Sequence, residues 1–248
     1  ITTGELNVAI GGQALSAATT TGSNVAVGYQ AGNAYTTETG KSVSVGTYAN
    51  AVATGNYNVS VGFGAQRGTT SGANNVAVGF QALSSADGGG TALTGASNVA
   101  IGYQAGFNLG GAAGDNICIG ANTANSATTQ EDLILIGTSA GAAINDDAAD
   151  GTIAIGHQAL TALTSGANNT AIGYQCGDAM TDSAYMTLLG NNAGGAITTG
   201  SDHSVIIGNY AGVGGAAAMA GCVVVGSNAM NSTGANAQTG TIAIGYNA

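Results

Sequence analysis

Chemistry in this sequence has few places to start. The candidates are His157 and His203, the cysteines Cys118, Cys176 and Cys222, and acidic residues gathered at Glu131-Asp132, Asp146-Asp147-Asp150 and Asp178-Asp182. A histidine can serve as the general base of an acyl transfer. His157, however, stands in a slot that other parts of the chain fill with Tyr29, Phe80 and Tyr103, and His203 lies just before a strand-like run. The cysteines are an odd set without C-x-x-C spacing, which fits neither a disulfide framework nor a zinc site. They read as small residues standing in for Ala, Ser or Asn. A calcium site needs oxygens that converge from a shaped loop, and neither the EF-hand spacing nor the calcium-binding nonapeptide occurs. The acidic residues read as solvated loop charge, with segment 144–150 the first place to test for a cation. No catalytic residue, metal or cofactor is expected.

Composition narrows the class. The 248 residues include 44 Gly, no Pro and no Trp, and only 6% are charged. Low charge with 44% hydrophobic content is the opposite of a disordered chain. Gly, Asn and Thr interrupt every apolar run well short of the roughly 20 residues of a membrane helix, so no membrane contact is expected. Two cations, Lys41 and Arg67, in a chain of net charge −10 cannot neutralise a row of phosphates, which argues against nucleic acid. Two tryptic sites suit an exposed extracellular life. The sequence reads as an ordered stretch of a longer protein.

The elements that would position any of these residues are set by a repeat. "NVAVGYQAG" at 24–32 returns as "NVAIGYQAG" at 98–106. Aligned on the glycine of that motif, fourteen copies appear: Gly11, Gly28, Gly46, Gly62, Gly79, Gly102, Gly120, Gly137, Gly156, Gly173, Gly190, Gly208, Gly226 and Gly245. The thirteen steps from Gly11 to Gly245 are sixteen to twenty-three places long and average eighteen. The residue before each glycine is Val, Ile or Leu, and the residue two places further back is Val or Ile in twelve copies, with Thr170 and Thr187 the exceptions. A small residue lies between them in ten copies, and Ala follows three places after the glycine in twelve.

Large–small–large is period two, so each copy predicts a short β-strand with its aliphatic face buried. The glycine ends the strand where a bend or a close approach leaves no room for Cβ. A repeat of this length is too short for a βαβ unit, and the intervening Thr, Ser, Gly, Asn and Ala lack helical periodicity. The chain should therefore coil, stacking each strand on the last in parallel. One solenoid domain over 1–248 is expected. Two large aliphatics per coil make a thin core. The stacked small residues would then form a flat apolar face, which monomers rarely leave in water, so a homotrimer is expected. Four copies carry a large middle residue (Leu135, Leu188, Ile206, Val224), where the gap between chains or sheets is expected to widen.

"NVAVGYQAG", "NVAIGYQAG" and "HSVIIGNYAG" resemble the head repeat of YadA-type trimeric autotransporter adhesins, S-V-A-I-G-x-x-A. "AVGFQAL" (77–83) and "TSGANNTAIGYQCG" (164–177) resemble repeats of phage and virion tail-fibre proteins. The likeness spans essentially the whole chain. It implies a left-handed parallel β-roll, intertwined or side by side as a trimer, displayed outside the cell or on the virion surface for host attachment. Adhesin head repeats are shorter than the spacing here, which favours a fibre; an adhesin head is the alternative. The implied partners are sister chains and a glycan or protein receptor on the host.

Three further readings complete the sequence. Hexapeptide acyltransferases coil at the same average spacing, but six and twelve places after Ile10 stand Ser16 and Gly22 where aliphatics are required. An ice-binding solenoid needs ranked threonines, and Thr here keeps no fixed offset from the glycine. The insertion at 84–97, with Asp87 and Thr91, and the segment holding Asp146, Asp147 and Asp150 are the candidate recognition loops. Aromatic residues after the glycine (Tyr29, Phe63, Phe80, Tyr103, Tyr174, Tyr246) could stack on sugars or cover a corner, and packing is the expected role. Gln13, Gln30, Gln81, Gln104, Gln158 and Gln175 are expected to form an amide ladder. Sequons at Asn58, Asn168 and Asn231 are expected to be accidental.

Overall fold

A computed structural model describes residues 4–20, 22–35, 40–52, 54–68, 70–84, 93–214, 218–231 and 236–248. The described residues form a parallel β-solenoid of short strands and tight turns, with one turn of 3-10 helix at Asp147–Ala149. The chain divides into two compact units, Ile1–Gln130 and Glu131–Ala248.

Unit 1 holds β1 (Val8–Ile10), β2 (Val25–Val27), β3 (Val43–Val45), β4 (Val59–Val61), β5 (Val76–Val78), β6 (Val99–Ile101) and β7 (Ile117–Ile119). Each pairs in parallel with the next, and the repeat positions fall in register: Val25 faces Val43, Ala26 faces Ser44, Val27 faces Val45. Unit 2 repeats the plan with β8 (Ile134–Ile136), β9 (Ile153–Ile155), β10 (Thr170–Ile172), β11 (Thr187–Leu189), β12 (Val205–Ile207), β14 (Val223–Val225) and β16 (Ile242–Ile244). A second small ladder pairs β13 (Met219–Ala220) with β15 (Gln238–Thr239).

The motif glycines have φ between 125° and 145°, a region closed to residues with a side chain. Stacking makes the requirement stricter. A Cβ on Gly28 would stand 2.5 Å from the carbonyl oxygen of Gly46, and one on Gly156 would come closer still to that of Gly173. Backbone blocks backbone there, so no side chain can move aside. Each coil also bends through left-handed residues, as at Tyr57 (φ 59°), Gln81 (φ 52°) and Leu83 (φ 48°). These positions stack in register, and the ladder over-determines conformations that cost free energy in isolation.

The side chains reverse one expectation. From β2 to β12, and in β14, the middle residue of the strand points inward: Ala26, Ser44, Ala77, Ala100, Cys118 and Leu135 are fully buried. The flanking Val and Ile point outward and are half-buried or exposed, as Val61 and Ile101 are. The reason is volume. A coil interior already holds the residue three places after the glycine, usually alanine, and in most coils a bulkier one four or seven places after it, such as Leu160 and Leu163, both fully buried. A short strand residue completes that packing, whereas two branched ones would overfill it. The apolar face is therefore the Val/Ile ladder, not the row of small residues.

Leu135, Leu188, Ile206 and Val224 are likewise inside their coils rather than on an outer face. For Leu135, Leu188 and Ile206 the residue six places on is glycine; Val224 is the exception, with Met230 there. A Cβ on Gly141 would stand 2.9 Å from Leu135, one on Gly194 3.2 Å from Leu188, and one on Gly212 3.1 Å from Ile206. Volume is exchanged within the coil.

Candidate binding surface

Behind the small inward residue lies a polar row that composition and strand periodicity did not reveal. The residue before each strand in unit 1 is Asn or Ser, and from Asn24 to Asn116 all are buried. Each passes a side-chain oxygen to the next coil: Asn75 Oδ1 accepts from the Asn98 backbone N–H at 2.8 Å, and Asn98 Oδ1 accepts from that of Asn116 at 3.2 Å. The amide nitrogens satisfy turn carbonyls, Asn58 Nδ2 donating to Gly55 and Gly72. The sequon at Asn58 is thus inside the fold, its nitrogen committed. In unit 2 the row turns partly apolar, with Leu133, Met186 and Cys222 buried in the same slot. The signal was in the sequence, since Asn precedes many strands, but only burial reveals its role.

The thiols are also interior. Burial pushes Cys118 up to about 12, and Cys176 to about 12 with Asp178 adding to the effect. A thiol held protonated is a poor nucleophile and a poor metal ligand. His157 is exposed and stacks on Tyr174 with ring centroids 5.4 Å apart; His203 stacks on Tyr185 at 4.8 Å. Among the described residues, no three His, Cys, Asp or Glu side chains converge as a metal site.

The candidate recognition loops fare differently. Asp87 and Thr91 lie outside the described residues. Asp146 caps the 3-10 turn, its carboxylate accepting from Ala148 N–H at 2.9 Å, and Asp150 Oδ1 accepts from Glu131 N–H at 2.9 Å. Burial raises Asp150 above the usual carboxylate range, and the charges of Asp147 and Asp132 add to this. Two of the three carboxylates thus hold the loop itself. In unit 2 a cavity of about 610 Å³ is lined by the inward residues Ala243 and Ala248 together with Met230, Gln238 and Asn247. It is the interior of the last coil viewed along the ladder.

Two surface rows remain. The first is the outward aliphatic pair, Val or Ile on every strand of the long ladder in unit 1 and on most of those in unit 2, where Thr170, Thr187 and Leu189 depart from it. The second lies one residue past the glycine, or two in the case of Tyr48, where unit 1 sets an aromatic ridge. Tyr29, Tyr48, Phe63, Phe80 and Tyr103 touch in succession, with centroids 5.4–6.0 Å apart. Ladder hydrogen bonds hold their backbone, from Tyr48 N–H to the Tyr29 carbonyl and from Gln81 N–H to that of Phe63, each at 2.9 Å. The amides form their own row: Gln30 donates to Gln13, Gln104 to Gln81 at 3.0 Å and Gln175 to Gln158 at 2.9 Å. Arg67 lies over the Tyr48 ring at 4.7 Å.

No helix among the described residues is long and apolar enough to cross a membrane. Neither a family model nor a curated protein matches this chain.

Proposed function

We propose that the chain is a structural and adhesive segment of a trimeric extracellular fibre, of the kind virions use to attach to a host. The observation that supports this reading is the outward Val/Ile ladder. A long, uncharged, aliphatic row is the kind of surface that soluble chains cover. Full burial of a Val or Ile contributes about 1.5–3 kcal/mol. Half-exposed aliphatic residues on seven strands in each unit are therefore on the scale of the 4–15 kcal/mol or so that association costs. Because nearly every coil presents such a pair, sister chains meet best with their ladders parallel around a common axis, and three such faces close on one another. The resulting fibre presents three copies of any surface site, so that avidity compensates for weak single contacts. The resemblance to tail-fibre repeats supplies the setting; the adhesin-like motifs favour a bacterial surface head as the second reading.

Sedimentation equilibrium of the purified chain tests the assembly. A trimer is expected, and Ile101→Asp should break it into smaller species. A well-folded wild-type monomer in dilute buffer would overturn the reading. The neighbouring chain separates the two settings: a virion-attachment or chaperone domain supports the fibre, and a membrane-anchor barrel the adhesin head.

A further inference from the structure

The aromatic ridge of unit 1 goes beyond what holding the coil together requires. Tyr29, Phe63, Phe80 and Tyr103 remain 44, 43, 42 and 51% exposed although each touches a ring on a neighbouring coil. Phe63, Phe80 and Tyr103 are nearly parallel, with interplanar angles of 10° and 7° and centroids 5.4 Å apart. Rings stacked face on face would sit at the roughly 3.5–4.0 Å of carbon contact. The wider centroid separation means that these rings are not in close face-to-face contact, and each residue keeps 42–51% of its surface exposed.

We propose that this ridge is a row of subsites for an extended neutral oligosaccharide, one sugar residue to a coil. This deepens the adhesive part of the reading above and rests on it. Three features point to a sugar. The ring step is close to the length of one residue in an extended β-linked chain. Aromatic faces meet the C–H faces of pyranoses, while Gln30, Gln81 and Gln104 carry amides at the next position, where sugar hydroxyls need partners. Arg67 adds guanidinium donors beside Tyr48. A second copy of the chain fits this row less well, because it would bury amides and tyrosine hydroxyls against apolar surface and strip their hydration. An anionic glycan would meet a chain of net charge −10. The ladder fixes the rings before binding, so little ordering is required.

The test uses the full chain and chitohexaose as probe, read by calorimetry and by tyrosine fluorescence, which no Trp masks. Saturable binding is expected. Phe80→Ala should weaken it about tenfold, the effect of losing about 1.4 kcal/mol. Phe80→Tyr should retain it, and Tyr185→Ala, at another corner, should leave it unchanged. Circular dichroism of each variant shows that the fold persists. Absence of saturable binding, or binding indifferent to Phe80→Ala, overturns the proposal. So does tyrosine emission shielded from acrylamide in the assembled protein, which would mean that a second copy covers the ridge. Sedimentation of the same samples separates the two readings: a trimer that ignores the sugar rejects only the ridge, and a monomer rejects the fibre.

Discussion

Leu135, at the centre of β8, occupies the space that a side chain on Gly141 would need: a Cβ there would stand 2.9 Å from Leu135 and equally close to Ile144. In the next coil the arrangement is inverted, with Ala154 in mid-strand and Leu160 in the glycine's place, both fully buried. Leu135→Ala should cost about 2–5 kcal/mol through the cavity it leaves. Gly141→Leu should cost about 1–3 kcal/mol through overpacking, with a further strain at φ 56°. The double variant rebuilds the neighbouring pattern and should recover much of the loss. Chemical denaturation of all four proteins measures the coupling; strict additivity would show that the two sites do not share volume.

Gly156 presents the opposite case, since no second substitution can make room. Its Cβ would run into the Gly173 carbonyl oxygen, and its φ is 139°. Gly156→Ala should cost more than the roughly 1–3 kcal/mol of a strained backbone residue and should abolish folding of unit 2. Loss of strand signal in circular dichroism checks this.

Asn98 links three coils. Its Oδ1 accepts from the backbone and side chain of Asn116, and its Nδ2 donates to Asn75 Oδ1 and to the Ala113 carbonyl at 2.9 Å. Asn98→Leu should cost about 1–3 kcal/mol for each buried group it leaves unpaired. Asn98→Asp should be worse, because it buries a charge. Amide exchange should show Asn116 N–H losing protection first.

Acidification should stabilise unit 2 rather than unfold it. Burial raises both Asp150 and Asp178, in the latter against the lowering effect of backbone N–H groups of its own turn. An acid whose folded pKa lies above its unfolded one binds protons more tightly when folded, so stability rises as pH falls through the folded value. The gain is complete below the unfolded value near 3.8. Both groups are only half-buried and screened by solvent, so the gain is small. The melting temperature should hold or climb from neutral pH to about that point, and Asp150→Asn with Asp178→Asn should flatten the rise. A fall over that range in the wild type alone would contradict the assignment.

The sequence by itself determined the coil. Fourteen glycines, mostly β-branched residues one and three places before them and usually an alanine three places after defined strands, turns and parallel register, because each is a local requirement renewed in every repeat. It did not determine which strand face looks inward. Period two separates Val99 and Ile101 from Ala100 but is silent about sides, and the thin core argued from aliphatic burial pointed the wrong way. That choice belongs to the tertiary structure. The interior is closed by Leu83 and Leu109, fully buried residues outside the strands, and only after they are placed is there too little room for the branched pair. The ridge follows the same logic. One aromatic residue past a glycine says nothing, and only stacking in register turns Phe63, Phe80 and Tyr103 into a surface.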